Sequence, residues 1–174
     1  MRRDGNRTNS TLYVNSAGGN GGGIDNGGTL TITNSTFAGN SSPDSSTGVN
    51  FSNESGSTAS IKSTILAAAG NSSGNCAGTI TDAGYNISDD STCNFSATGS
   101  QNNTNPGLSS AGLANNGGPT QTIALVAGSH AIDAIPLAAC TDQIGKRITT
   151  DQRGFPRPDG AESLCDIGAY ESSF

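Results

Sequence analysis

Residues 18–42 read GGNGGGIDNGGTLTITNSTFAGNSS, and the fold turns on what the glycines ahead of the alternating stretch are for. Three structures use glycine at such density: a loop that cradles phosphate, a calcium-binding roll, and one coil of a repeated β-structure. The phosphate loop fails on spacing. In a G-x-G-x-x-G frame, Ile24 stands where the third glycine should follow Gly19 and Gly21, and Asn26 stands there after Gly21 and Gly23. The Gly145-Lys146 pair is followed by Arg147 where a P-loop needs Ser or Thr. No helical pattern follows to offer phosphate an N-terminal dipole. The calcium roll, G-G-x-G-x-D, aligns on Gly18, Gly19 and Gly21 but has Gly23 in place of the ligand aspartate. The coil remains.

A repeat supports it. Asn9-Ser10-Thr11-Leu12 returns 25 residues on as Asn34-Ser35-Thr36-Phe37, and again, degraded, after a further 28 as Lys62-Ser63-Thr64-Ile65. Gly23-Ile24 matches Gly48-Val49, and Ala77-Gly78 stands in a similar place. Between them lie Thr29-Leu30-Thr31-Ile32-Thr33 and Thr58-Ala59-Ser60-Ile61-Lys62, whose alternation sends Leu30 and Ile32 to one face and the threonines to the other. A period of about 25 with three short strands per turn predicts an all-β chain folded as a parallel β-helix, with coils over residues 1–106. Glycines are expected at corners that need positive φ. Asn15 and Asn40 suit a left-handed turn where side-chain amides stack.

Composition fits a thin core. The 174 residues suit one domain, with 32% hydrophobic side chains, 5% aromatic and no Trp. A two-layer fold of this size normally carries more apolar residues, whereas a solenoid coil needs only a few. Charged residues are 13% of the chain, too few for a disordered polyelectrolyte. The net charge of −6 argues against nucleic-acid binding, the basic residues falling mostly in two places, Arg2, Arg3 and Arg7 at the start and the stretch Lys146–Arg157.

Cys76, Cys93, Cys140 and Cys165 contain no C-x-x-C pair, and His130 has no partner at ligand spacing, so neither a metal nor a cofactor is expected. Two disulfides are the better reading. Four cysteines allow three connectivities, of which Cys76–Cys93 with Cys140–Cys165 is the simplest. Disulfides imply an oxidising, extracytoplasmic compartment. Met1-Arg2-Arg3-Asp4 leads into polar sequence with no apolar signal region, and no transmembrane run follows. The expectation is a stretch of the mature region of a longer secreted protein, with no direct membrane insertion. Asn-x-Ser/Thr sequons occur at Asn6, Asn9, Asn34, Asn40, Asn53, Asn71, Asn86, Asn94 and Asn102. A repeat with Asn at corners and Ser/Thr beside it generates them without any glycan.

From Gly107 to Phe174 the period is lost, and most of the prolines and two of the cysteines fall here. An open solenoid end invites further strand pairing, so this segment reads as an irregular C-terminal cap of the same domain. Together, GGGIDNGGTLTITNSTFAGNSS, NCAGTITDAGYNISDDSTC, NGGPTQTIALVAGSHAIDA and DQRGFPRPDGAESLCDIGAYE resemble the C-terminal part of bacterial right-handed β-helix surface proteins, the choice-of-anchor Q domain family. The resemblance covers nearly the whole chain. It implies a secreted or surface-attached right-handed β-helix and assigns no catalytic residues. Where His130 stands, that family usually has Pro.

Two functions compete. The first is a secreted or cell-surface module, adhesin-like or structural, that binds polysaccharide or a host or cell-surface ligand. The second is a carbohydrate-active enzyme, a hydrolase or lyase. Its candidate catalytic residues are Asp133, Asp151, Arg153, Asp166 and Glu171, with Asp142 nearby in sequence. The competing reading gives the same residues structural work: Asp151 and Arg153 tie turns together and Asp166 caps backbone. Ser129, His130 and Asp133 superficially offer a triad, but neighbours in an extended chain point opposite ways. Rows of Thr suggest an ice-binding face, yet Thr33 would stack on Lys62. The aromatics mostly fall where core or cap would use them, which favours the module. The first coil leaves an open edge through which the chain could self-associate.

Overall fold

The computed structural model describes residues 5–43, 48–68, 73–160 and 162–173. Arg2, Arg3 and the Asn71 sequon lie outside the described residues. Successive coils contribute β1 (Gly5–Thr8), β2 (Thr11–Tyr13) and β3 (Ile24–Asn26); β4 (Thr29–Thr33), β5 (Thr36–Ala38) and β6 (Phe51–Asn53); β7 (Thr58–Lys62), β8 (Ile65–Ala67) and β9 (Cys76–Ala77); then β10 (Thr81–Asp82) and β11 (Ile87–Ser88). They stack in three parallel sheets, ordered β1-β4-β7-β10, β2-β5-β8-β11 and β3-β6-β9. The fold is a parallel β-solenoid of roughly three turns. A short antiparallel pair, β12 (Ile135–Pro136) and β13 (Leu164–Cys165), and one 3₁₀ turn (Leu137–Ala139) belong to the C-terminal segment.

Alternation decides what is inside. Leu30 and Ile32 stack on Ala59 and Ile61 as buried rows, while Thr29 pairs with Thr58 on the exposed face. Phe37, Phe51, Ile61 and Leu66 are fully buried, each contributing about 1.5–3 kcal/mol of transfer free energy. In the first coil the inward row changes character. Gly5 stands in register with Leu30, and the exposed Arg7 with Ile32.

Two details of the repeat differ from the sequence alignment. Thr36 pairs with Ile65 and Phe37 with Leu66, one residue beyond the 28-residue offset. A one-residue slip would turn Leu66 out of the core, so burial sets the register. Ile24 pairs with Phe51, and Phe51 with Cys76, so Gly23 faces Asn50 and not Gly48. The connection before β6 is longer than that before β3, which a fixed period conceals.

The corners also shift. Positive φ falls at Asn9 (49°), Asn34 (46°) and Ser63 (50°), a recurring row between the first two sheets. Asn15 and Asn40 do stack, Asn15 Nδ2 donating to Asn40 Oδ1 at 2.9 Å, but the left-handed residues are their predecessors, Val14 (52°) and Gly39 (63°). Gly23 is needed for space and not for φ, since a Cβ there would lie 2.4 Å from the Asn50 carbonyl oxygen.

The amide ladder continues inside the coil, Asn40 Nδ2 donating to Asn50 Oδ1 at 2.7 Å and Asn50 Nδ2 to Asn75 Oδ1. A second rung joins Asn26 Nδ2 to Asn53 Oδ1 at 2.7 Å. Asn34, Asn40, Asn53 and Asn86 are all buried, so their sequons are products of the repeat.

Both disulfides form as the simplest pairing predicts: Cys76–Cys93 and Cys140–Cys165. Cys93 and Phe95 pack into the same core as Phe37, Ile61 and Leu66, so residues near 93–95 plug the last coil. Asp82 anchors that plug. It accepts from the backbone N–H of Gly84, Ser96 and Ala97 and from Asn86 and Ser100. Burial works to raise the Asp82 carboxyl, but these bonds hold it below the usual carboxylate range.

The irregular C-terminal segment lies along the side of the coils. Asn9 Nδ2 donates to the Thr150 carbonyl (2.8 Å), the Ala169 N–H to Thr36 Oγ1 (3.0 Å) and the Gly168 N–H to the Ser63 carbonyl (3.0 Å), contacts that reach each of the three coils. Ile65 and Ile87, on the outer face of β8 and β11, join Leu125, Ala131, Ile135 and Ile167 in a second core. Both faces of that sheet are therefore covered.

Candidate functional site

Five residues named as catalytic candidates meet in or beside one buried cluster under the C-terminal segment. Asp151 Oδ2 accepts from Arg153 Nε at 2.8 Å and from the Glu171 N–H at 3.0 Å. Its Oδ1 accepts from the Arg153 and Phe155 N–H groups. Asp166 accepts from the N–H groups of Asp133 and Ser172. Glu171 Oε2 accepts from the Asp166 N–H at 3.1 Å. Arg153 also donates to the carbonyls of Asn116 and Glu171, and its guanidinium lies 3.7 Å from the Tyr170 ring centroid and 4.5 Å from that of Phe155.

The centre of the cluster is a residue that sequence reasoning missed. Arg157 is 2% exposed, donates to the carbonyls of Asp166 (3.0 Å) and Gly168 (2.9 Å), and sets Nε 3.1 Å from Glu171 Oε2. Burial lowers its basicity, and the carboxylates of Glu171, Asp151 and Asp166 oppose that. Burial also raises Asp166 and pushes Glu171 up to about 8 against the pull of Arg157. The signal was present as a second arginine in "DQRGFPRPDG", but nothing in the spacing says which arginine goes inside.

The remaining candidates part company. Ser129 is buried and donates to the Pro106 carbonyl, while His130 is exposed in the adjoining turn. Asp142 Oδ1 accepts from the Ile144 and Lys146 N–H groups and closes a surface turn. A hydrogen bond with Asp133 pushes the exposed Glu162 carboxyl up to about 7. Among the described residues, no group of three His, Cys, Asp or Glu side chains is placed to hold a metal ion. No helix among them is long and apolar enough to cross a membrane.

A second concavity lies elsewhere. A groove of about 610 Å³ runs along the ends of β2, β5 and β8, between the coils and the segment from Asn103 to Gly112. Its floor is cut by small residues: Ala38 stands in register with Tyr13 and with Ala67. Leu108 and Ile123 form the apolar far wall, where they pack with Ala38 and Ala67. Tyr13, 37% exposed, closes one end, its phenol end lying against Gly112. The polar lining is amides and hydroxyls, from Asn103, Asn105, Ser109 and Ser110, with one carboxylate, Asp89. Asp89 Oδ1 already accepts from the Ala68 N–H and from Asn75 Nδ2. Among the described residues, no Lys, Arg or His lines the groove.

Sequence reasoning missed this site, because Tyr13 reads there as a packing aromatic and the loop of residues 103–112 carries no motif. Comparison with protein-family profiles, with curated proteins and with solved structures returns no match.

Proposed function

We propose that this chain is a secreted or cell-surface β-helix module, adhesin-like in role, that holds a glycan in the groove beside Tyr13. The observation that carries the reading is the groove itself: its volume lies in the range of small-ligand sites, and it joins a half-exposed aromatic ring to amides and hydroxyls. An aromatic face suits the C–H face of a sugar ring, and amides and hydroxyls suit its hydroxyl groups. Two disulfides support an oxidising compartment. Kinship with the bacterial choice-of-anchor Q domain surface proteins, suggested by the motifs quoted above, belongs to the same reading and supports surface attachment.

The enzyme reading keeps one observation in its favour. Glu171 carries a carboxyl raised to about 8 and borders a small cavity of about 260 Å³ with Arg153 and Phe155. Its side chain is 2% exposed, however, and the oxygen it offers is taken by the Asp166 N–H and faced by Arg157. A substrate would have to displace the bonds that hold the segment.

One experiment separates the two. Depletion of the chain from solution by a panel of insoluble polysaccharides is measured beside release of reducing ends or unsaturated products from the same panel. Binding that Tyr13→Ala abolishes, with no product released, is the expected result. Product release lost in folded Asp151→Ala or Asp166→Ala would install the enzyme. No binding to any polysaccharide would remove the glycan reading.

A further inference from the structure

We infer that the turn carrying Lys146-Arg147 is a cleavage site for proteases specific for basic residues, and that the cut chain stays folded as two pieces joined by Cys140–Cys165. The inference goes beyond the glycan reading and does not depend on it.

Exposure singles out this turn. A trypsin-like protease draws a Lys or Arg side chain into an acidic pocket, so both the side chain and the backbone beside it must be within reach. Arg153 and Arg157 are buried. Lys62 lies in β7, with a parallel strand on either side, and its Nζ donates to Thr141 Oγ1 at 2.7 Å. Arg7 lies in β1, in register with Ile32 of β4. Among the described basic residues, only Lys146 and Arg147 are exposed outside the named strands. They close a run of exposed positions, 144–147, in which Ile144 is 89% exposed.

The turn can open without disturbing the core. Most of its bonds are its own: Asp142 Oδ1 accepts from the Ile144 and Lys146 N–H groups, the Asp142 carbonyl accepts from the Gly145 N–H (3.2 Å), and the Asp142 N–H donates to the Lys146 carbonyl (2.8 Å). None of residues 141–147 is buried. Local opening of such a turn is cheap, and exposed loop tips are where proteases nick folded chains.

Both flanks are fastened to the solenoid. Upstream, Gln143 Nε2 donates to the Ile32 and Ser60 carbonyls, each at 2.9 Å, and Lys62 Nζ holds Thr141. Downstream, the Ile148 N–H donates to the Cys140 carbonyl (3.1 Å), the Thr150 carbonyl accepts from Asn9 Nδ2, and Arg157 sits in its buried cluster. Cys140–Cys165 spans the cut and keeps the pieces covalently joined. In the hydrolysis, water adds its oxygen to the carbonyl carbon of Lys146 or Arg147. The C–N bond to the next residue breaks, and the released amine takes up a proton. The disulfides also fit an oxidising compartment, where secreted proteases act.

The test is timed digestion of the whole chain with trypsin, read by intact mass and by electrophoresis with and without reductant. The first cut within the described residues is expected after Lys146 or Arg147. It should give one species without reductant, and fragments 1–146 or 1–147 with their complements after reduction. The two-piece product is expected to keep the parent's far-UV circular dichroism and to melt no more than about 4 °C lower. The variant Lys146→Gln/Arg147→Gln changes only exposed side chains and is expected to survive about tenfold longer. A first cut at Arg7, Lys62, Arg153 or Arg157, or a double variant digested as fast as the parent, overturns the site. A product that loses its dichroism, or separates without reductant, overturns the two-piece form.

Discussion

Replacing Arg157 with methionine tests whether the ionic cluster holds the C-terminal segment on the coils. Methionine keeps much of the buried stem but strips the Asp166 and Gly168 carbonyls of donors at 3.0 and 2.9 Å and leaves Glu171 without the cation 3.1 Å away. Two buried acceptors without partners cost about 1–3 kcal/mol each. With the broken ion pair the whole loss is about 3–5 kcal/mol, the range found when one partner of a buried pair is removed. The loss is largest above about pH 8, where the Glu171 carboxyl, raised to about 8, is ionised and the pair is whole. The double variant Arg157→Met/Glu171→Gln keeps an acceptor for the Asp166 N–H and has no charge to strand. It is therefore expected to lose less than the sum of the single losses. Urea unfolding followed by far-UV circular dichroism reads both, the chain having no Trp to report by fluorescence. A loss below about 1 kcal/mol for Arg157→Met, or strict additivity in the double variant, would refute the structural assignment of the cluster.

Removing Cys76–Cys93 by paired serine substitutions should cost about 3 kcal/mol, from the loop entropy released over a 17-residue separation; denaturation midpoints check it, and an unchanged midpoint contradicts it. Burial raises Glu171 to about 8, so the folded chain holds a proton that the unfolded carboxyl releases near about 4.3. Stability is then full at low pH and falls as pH climbs through that window, by at most about 1.4 kcal/mol per unit for one group. Melting temperatures from pH 5 to 8 should show the fall, and Glu171→Gln should lessen it; a rise would reverse the sign of the argument. Arg7 sits in register with Ile32 at the mouth of the first coil, where an inward charge discourages another strand layer. Arg7→Ile should promote concentration-dependent association in sedimentation, which the parent shows less of.

Much of the solenoid was legible because its cause is local. The alternation in Thr29–Thr33 and Thr58–Lys62 forces a two-faced strand, and copies that cannot bury that face alone must stack. The registers were less legible: Leu66 against Phe37 and Phe51 against Ile24 depend on loop lengths that the period averages away. The amide stack of Asn15 and Asn40 was readable, while the left-handed residue one position earlier was not, since Val14 contradicts the propensity that would mark it. The carboxylates of the C-terminal segment were found as a set because they cluster in sequence. Their burial was not, because it comes from Arg157 beside Glu171 and from distant backbone N–H groups, that of Glu171 to Asp151 and that of Asp133 to Asp166. The groove left no trace in the sequence, as its lining comes from stretches far apart in the chain, Tyr13, Ala38 and Ala67 on the coils and the segment from Asn103 to Gly112.

The most direct test of the glycan-binding account is an amide-resolved NMR titration of the chain with the oligosaccharide it binds best. The account predicts shifts confined to residues 13–14, 38–39, 67 and 89, to the wall from Asn103 to Gly112 and to Ile123. Shifts centred on Asp151, Arg153, Asp166 and Glu171 would contradict it and return the chemistry to the buried carboxylates.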